Sequence, residues 1–230
     1  MANPVVLLHG LGRTGASMLL ADGVLRRQGL TTHRHHYWSH SLPLPELARR
    51  EIPLALQRAA QGGYGGPVDF VAHSMGGILL RQWALDGDAS RIGRVVMLGP
   101  PNRGSEWVEV LSDTPLAPVF LGPSGRSLGR GANSLPRGLP AVPFETGVIA
   151  GDRALNPISR HVIGRASDGK VAVDAAAVDG MADFITLPVG HTMMMNDPRV
   201  LAQAAHFLRH GRFKAAVSAL HAVRELAGLA

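Results

Sequence analysis

Hydrophobic positions come in short unbroken runs separated by longer amphipathic stretches. Val5-Val6-Leu7-Leu8 is such a run, the signature of a strand buried on both faces. Gly10-Leu11-Gly12 breaks it, and residues 16–28 follow with helical spacing. The same alternation predicts a strand over 31–38, a helix over 43–60 kinked at Pro53, and a strand over 68–72. A helix over 75–86 and a strand over 94–98 come next, and the Gly-rich cluster from Gly62 to Pro67 marks a break. Further on, strands are predicted over 144–150 and 183–188 and helices over 197–209 and 213–227. In the last of these, Val217, Leu220 and Val223 fall near one face, and the helix is expected to pack on its own domain. Strands separated by helices imply an α/β architecture, a mostly parallel sheet with helices on both faces.

The segment 100–143 departs from this pattern. It is rich in Pro, Gly and Ser, and its periodicity is weak. So long a connection is usually a lid or a binding loop, so a single domain over 1–230 with a lid or cap insertion at about 104–143 is expected. Its apolar residues, Trp107, Val108, Leu111, Phe120 and Leu121 among them, suit either an acyl-binding cover or a packed excursion.

Composition narrows the chemistry. With 230 residues and 46% hydrophobic content the chain has material for a sizeable core. Zero Cys excludes disulfides, thiolate metal sites and a Cys nucleophile. The net charge is +6, but the arginines are scattered, so no nucleic-acid partner is expected. No run approaches the roughly 18 apolar residues of a membrane span. Met1-Ala2-Asn3-Pro4 has no basic n-region, so a cytoplasmic location is the expectation.

The most informative segment is Val68-Asp69-Phe70-Val71-Ala72-His73-Ser74-Met75-Gly76-Gly77. It reads as a strand, a tight turn and a helix with one serine at the turn, the form of a nucleophile elbow. Such a turn lifts the serine Oγ above the sheet. Residues two before and two after it must be small because strand and helix nearly touch, and Ala72 and Gly76 are small. The bland alternative is a helix N-cap at Ser74.

These residues closely resemble the elbow of small bacterial lipases and esterases of the α/β hydrolase superfamily, in their Ala-x-Ser-x-Gly form. Leu8-His9-Gly10-Leu11-Gly12 resembles their first-strand motif, and Val189-Gly190-His191-Thr192 their histidine segment. Val95 to Gly99 with Asn102-Arg103 is similar to their strand after the elbow. The resemblance implies the α/β-hydrolase fold and an oxyanion hole from the backbone N–H groups of Leu11 and Met75. Those small lipases lack an insertion of this size.

Chain order in the superfamily is Ser, acid, His. His191 follows a late strand and precedes Asp197-Pro198, a helix start. For the acid, Asp168 in Asp168-Gly169-Lys170-Val171 resembles the Asp-Gly-x-Val turn of these lipases, while Asp152 at another strand end is the rival. Residues 33–40 hold four histidines, and His33 and His35 share a strand face, but no nearby carboxylate or cysteine completes a metal site. Tyr37 and Trp38 are candidate substrate-binding residues there. The expectation is a serine hydrolase that cleaves small-molecule or lipid esters through an acyl-enzyme, with no cofactor or metal. A thioesterase, amidase or acyltransferase on the same triad, a silent binding module and a membrane-surface accessory protein are the alternatives. Oligomeric state is not legible.

Overall fold

A computed structural model describes residues 2–61, 63–215 and 218–229. Six strands form its sheet: β1 (Val5–Leu8), β2 (Thr32–His35), β3 (Val68–His73), β4 (Ile92–Leu98), β5 (Thr146–Gly151) and β6 (Asp183–Leu187). Their order is β2-β1-β3-β4-β5-β6, and every neighbouring pair is parallel. The main helices are α1 (Leu19–Arg27), α2 (Leu44–Ala59), α3 (Met75–Trp83), α4 (Glu106–Ser112), α5 (Pro157–Ile163), α6 (Pro198–His210) and α7 (Ala219–Leu226).

Side chains alternate across the sheet and feed two cores. Val6, Leu8, Phe70 and Ala72 belong to one, together with residues of α2 and α3. Val5, Leu7, Val71 and Val96 belong to the other, with α1 and α6. Each large side chain so buried contributes about 1.5–3 kcal/mol relative to exposure. Both faces of the sheet are therefore covered, as the continuous hydrophobic runs require.

From β1 the chain steps to the edge strand β2, then returns to β3 on the other side of β1. In open α/β sheets such a reversal leaves a crevice beyond the carboxyl ends of the strands, where ligands bind. The register aligns those ends: Leu8 pairs with Ala72, Ala72 with Met97 and Met97 with Val148. His9, Ser74, Gly99 and Gly151 consequently emerge at one edge.

Several boundaries differ from expectation. The second strand stops at His35, because Tyr37 turns inward and its amide donates to His9 Nε2. The helix at 44–59 runs on through Pro53, which is exposed, so the hydrogen bond that proline cannot make lies on the solvent side. The irregular stretch from 100 holds α4 and short helical turns at Ala117–Phe120, Gly122–Gly125 and Leu135–Gly138. In the terminal helix Ala222 is the buried residue, while Leu220 and Val223 face solvent. Val217 lies outside the described residues. Among the described residues no helix is long and apolar enough to cross a membrane.

Candidate active site

Ser74 stands between β3 and α3 with φ 54° and ψ −121°, the one non-glycine residue with positive φ among the described residues. A β-strand and a helix cannot meet this tightly without such a residue, and the strain is retained where the surroundings over-determine it. Its N–H donates to the Leu98 carbonyl at 2.8 Å. Its Oγ makes no cap to α3. Instead Ser74 Oγ lies 3.0 Å from His191 Nε2.

His191 Nδ1 is 2.7 Å from Asp168 Oδ2. Nδ1–H therefore donates to the carboxylate, and Nε2 is left to accept from the serine hydroxyl. The other oxygen of Asp168 accepts from the N–H groups of Lys170 and Val171, at 2.9 and 2.8 Å. The Asp-Gly turn thus wraps its own carboxylate, and the His191 N–H donates to the Asp168 carbonyl at 2.9 Å. Asp168 and His191 are both buried. Asp152 is solvent-exposed beyond β5, and its charge acts on Arg199 instead.

Glycines set the clearances. Gly99 has φ 55°, and a Cβ there would stand 2.8 Å from Asp168 Oδ2 and 3.2 Å from His191 Nδ1. A Cβ on Gly10 would stand 2.9 Å from His73 Nδ1 and 3.0 Å from Ser74 Cβ.

Leu11 follows the turn after β1, and Met75 opens α3. Among the described residues neither backbone N–H meets a hydrogen-bond partner. The turn that carries Leu11 is anchored, since the Gly12 N–H donates to Ser39 Oγ at 3.0 Å. His9 supports the same turn from beneath. Its Nδ1–H donates to the Gly10 carbonyl at 3.0 Å, and its ring stacks on Tyr37 at 4.1 Å. Burial pushes the His9 imidazole down to about 4, so it is neutral.

Tyr37 is buried, and its hydroxyl donates to the His9 carbonyl. Trp38 is 75% exposed. Neither lines the cavity above Ser74, so both differ in position from the substrate-binding residues expected there. Tyr37 is instead a brace under the turn that carries Leu11. The histidine-rich strand also departs from expectation, because α2 brings a carboxylate to it: Glu51 lies 2.9 Å from His35 Nε2. Among the described residues no group of three His, Cys, Asp or Glu side chains is arranged to hold a metal ion.

One contributor escaped sequence reasoning. His73 is buried in β3, and its Nε2–H donates to the His191 carbonyl at 3.0 Å. Burial, and then the proximity of His191, hold it well below the usual histidine range. It is a neutral strut that fixes the backbone of His191. Its place before the elbow serine was the only signal.

A cavity of about 750 Å³ opens above Ser74. Leu11, Arg13, His191 and Lys170 are among its lining residues. The insertion supplies the apolar wall: Trp107, Val108, Leu111, Phe120, Leu121 and Leu128. The wall is tied down at Ser105, whose Oγ donates to the Lys170 carbonyl at 2.6 Å.

The chain matches no family model and no curated protein. Among solved structures it resembles a lipase of Bacillus licheniformis, BlEst2 in mature form, at 16% identity and a TM-score of 0.70, over 91% of this chain and 92% of that one. A metagenomic carboxyl esterase, MGS0156, matches at 18% identity and a TM-score of 0.62, over 84% of this chain and 65% of that one. A thermophilic esterase of Thermogutta terrifontis matches at 13% identity and a TM-score of 0.54, over 92% and 91%. The fold is that of the α/β hydrolases.

Proposed function

We propose that the protein is a carboxylic ester hydrolase of the lipase/esterase type, acting through an acyl-enzyme on Ser74. The observation that carries the reading is the hydrogen-bonded chain from Asp168 through His191 to Ser74, built on a strained elbow. Lipases and esterases among the structural neighbours agree with it.

In this reading His191 Nε2 takes the Ser74 proton as Oγ attacks the ester carbonyl. Asp168 holds the imidazole in the right tautomer and stabilises its charged form. The oxyanion develops between the N–H groups of Leu11 and Met75, each contributing about 3 kcal/mol to the transition state. His191 then protonates the leaving alcohol. Water, deprotonated by the same histidine, attacks the acyl group and releases the acid and Ser74. Protein groups and water supply every proton transfer. The apolar wall receives the acyl chain.

The test is hydrolysis of p-nitrophenyl esters from acetyl to palmitoyl, with Ser74→Ala beside the wild type. Turnover with a chain-length optimum, lost by several orders of magnitude in a folded Ser74→Ala, is expected. A variant that keeps a tenth of the activity sinks the nucleophile assignment. Fluorophosphonate labelling at Ser74 checks the nucleophile independently of substrate choice.

A further inference from the structure

Two cations line the same cavity as Ser74. Arg13 follows the oxyanion turn, is half-buried, and its Nη2 donates to the Thr192 carbonyl at 2.8 Å. Lys170 lies two residues after Asp168. Its backbone is pinned at both ends: the N–H donates to Asp168 and the carbonyl accepts from Ser105. Both side chains line the cavity, and no carboxylate does. Neither cation forms a salt bridge among the described residues.

The two charges also act on each other. The Lys170 amine is held below its ordinary value, first by the protein packed around it and then by the Arg13 charge. The Asp168 charge offsets this only in part, its carboxylate being already engaged by His191 and by backbone N–H groups, and an anion placed between the two cations relieves both.

Their position relative to His191 says which half of the substrate carries the anion. Arg13 is bonded to the residue after His191, and Lys170 belongs to the turn that holds its acid. A pocket of about 240 Å³ adjoins the cavity on this side and shares Trp107, Lys170, His191 and Thr192 with it. Asp168 also borders that pocket, with both carboxylate oxygens already engaged. In the mechanism above His191 protonates the leaving alcohol, so this is the leaving-group side. The apolar residues of the insertion that line the larger cavity but not this pocket, Val108, Leu111, Phe120, Leu121 and Leu128, are left for the acyl chain.

We infer that the natural substrate is an ester of an apolar acyl chain with an anionic alcohol, its phosphate or carboxylate seated between Arg13 and Lys170. The inference rests on the ester-hydrolase reading of the same site. The shared chemistry is a negative charge a few bonds from the ester oxygen.

The test uses 4-nitro-3-(octanoyloxy)benzoic acid and its methyl ester, which differ in charge on the leaving group, with rates normalised to hydroxide hydrolysis. Expected is a wild-type kcat/KM at least about tenfold higher for the anionic ester. In Lys170→Gln, and in Lys170→Gln combined with Arg13→Gln, that ratio falls towards one. Salt narrows it in the wild type, because added ions screen exposed charges over about 10 Å at 0.1 M. No preference in the wild type, or an unchanged ratio in the variants, overturns the inference. So does an equal loss on both esters, which marks a structural role.

A second arm compares octanoyl glycerol phosphate, octanoyl lactate and octanoyl glycerol. Faster turnover of the first assigns the anion as phosphate, faster turnover of the second as carboxylate. Preference for the neutral glyceride overturns the inference. Should neither nitrophenyl ester turn over and fluorophosphonate fail to label Ser74, the hydrolase reading falls and takes the anion site with it. Labelling and neutral-ester turnover without charge preference remove the anion site alone.

Discussion

The crossing of β1, β3 and β4 beneath Ser74 is closed in on every side, whereas the insertion over 104–143 that walls the cavity above it packs closely within and is open at its outer face. At the crossing, a Cβ added to Gly76 would stand 3.1 Å from Leu8 Cβ and 3.2 Å from the His9 carbonyl. At Gly99 it would press on the Asp168–His191 pair. The insertion instead leaves large apolar side chains in solvent, with Val119 at 73% and Phe120 at 56% exposure. A region without slack holds reacting atoms to the sub-ångström geometry that proton transfer needs. A wall open to solvent can admit acyl groups of different size. Substitutions in the first should therefore act all-or-none on kcat, and those in the second should be graded and chain-length dependent.

The largest effect is expected at the acid. Asp168→Asn should lower kcat by about 10⁴-fold, since an amide cannot hold His191 in the tautomer that accepts from Ser74. Asp152→Asn should change kcat by less than about twofold. Matched kinetics at equal thermal stability decide it, and a larger loss at Asp152 would reverse the assignment. Gly99→Ala is expected to cost about 10²-fold or more in kcat, because the added methyl displaces the acid–base pair and the backbone at φ 55° disfavours it. Wild-type kcat in Gly99→Ala would show that the crossing yields after all.

The same contrast explains what was legible in the sequence. The elbow and the His9-Gly10 turn are local: their constraints fall within a few residues of Ser74, and small residues at fixed offsets reveal them. Asp168 was a candidate through its Asp-Gly turn, and only the fold shows that it, and not Asp152, meets His191. The insertion is held by distant partners that carry no local signature. Arg81 on α3 is buried and donates to the carbonyls of Asn102, Pro136, Leu139 and Pro140. Helices of four residues are too short for a 3.6-residue period to emerge, so the segment read as irregular. Tyr37 misled because a strand end near the site has two faces, and its ring turned onto His9.

The crossing also carries a pH signature. His9 and His73 are neutral in the folded protein and protonate readily once unfolded. Their folded pKa values are depressed, so the unfolded chain binds more protons below about pH 6.5. Stability is then fully present above that pH and falls as the solution is acidified. For His9, a descent from 6.5 to about 4 corresponds to roughly 3 kcal/mol lost by pH 4, and His73 adds to it. Urea unfolding from pH 7 to 4 measures this, and a flat profile refutes it. His73→Gln should make the slope shallower.

Arg81→Met tests the other region. It leaves the buried carbonyls of Asn102 and Pro136 without this donor, a loss of about 2–4 kcal/mol in stability. The acetyl ester should keep a kcat close to the wild type, because no reacting atom moves. Thermal unfolding and limited proteolysis between residues 134 and 143 provide the readouts. A collapse of acetyl-ester kcat without loss of stability would couple the two regions and end the contrast drawn here.

The smallest effect belongs to the cavity wall itself. Phe120 lines the cavity yet is half-exposed, and its carbonyl accepts from His40 Nε2 at 3.0 Å. On the proposed reading, removing its ring takes away apolar contact with the distal part of an acyl chain and leaves Ser74, His191 and the N–H groups of Leu11 and Met75 in place. At about 25 cal/mol per Å² the loss is about 1 kcal/mol, or about fivefold in kcat/KM. That loss should appear for octanoyl and longer esters and vanish for acetyl, which does not reach the wall. Phe120→Ala profiled from acetyl to palmitoyl therefore discriminates between two roles for the insertion. A uniform loss at every length would make it a brace for the elbow, and a loss that grows with length makes it the surface that sizes the acyl chain.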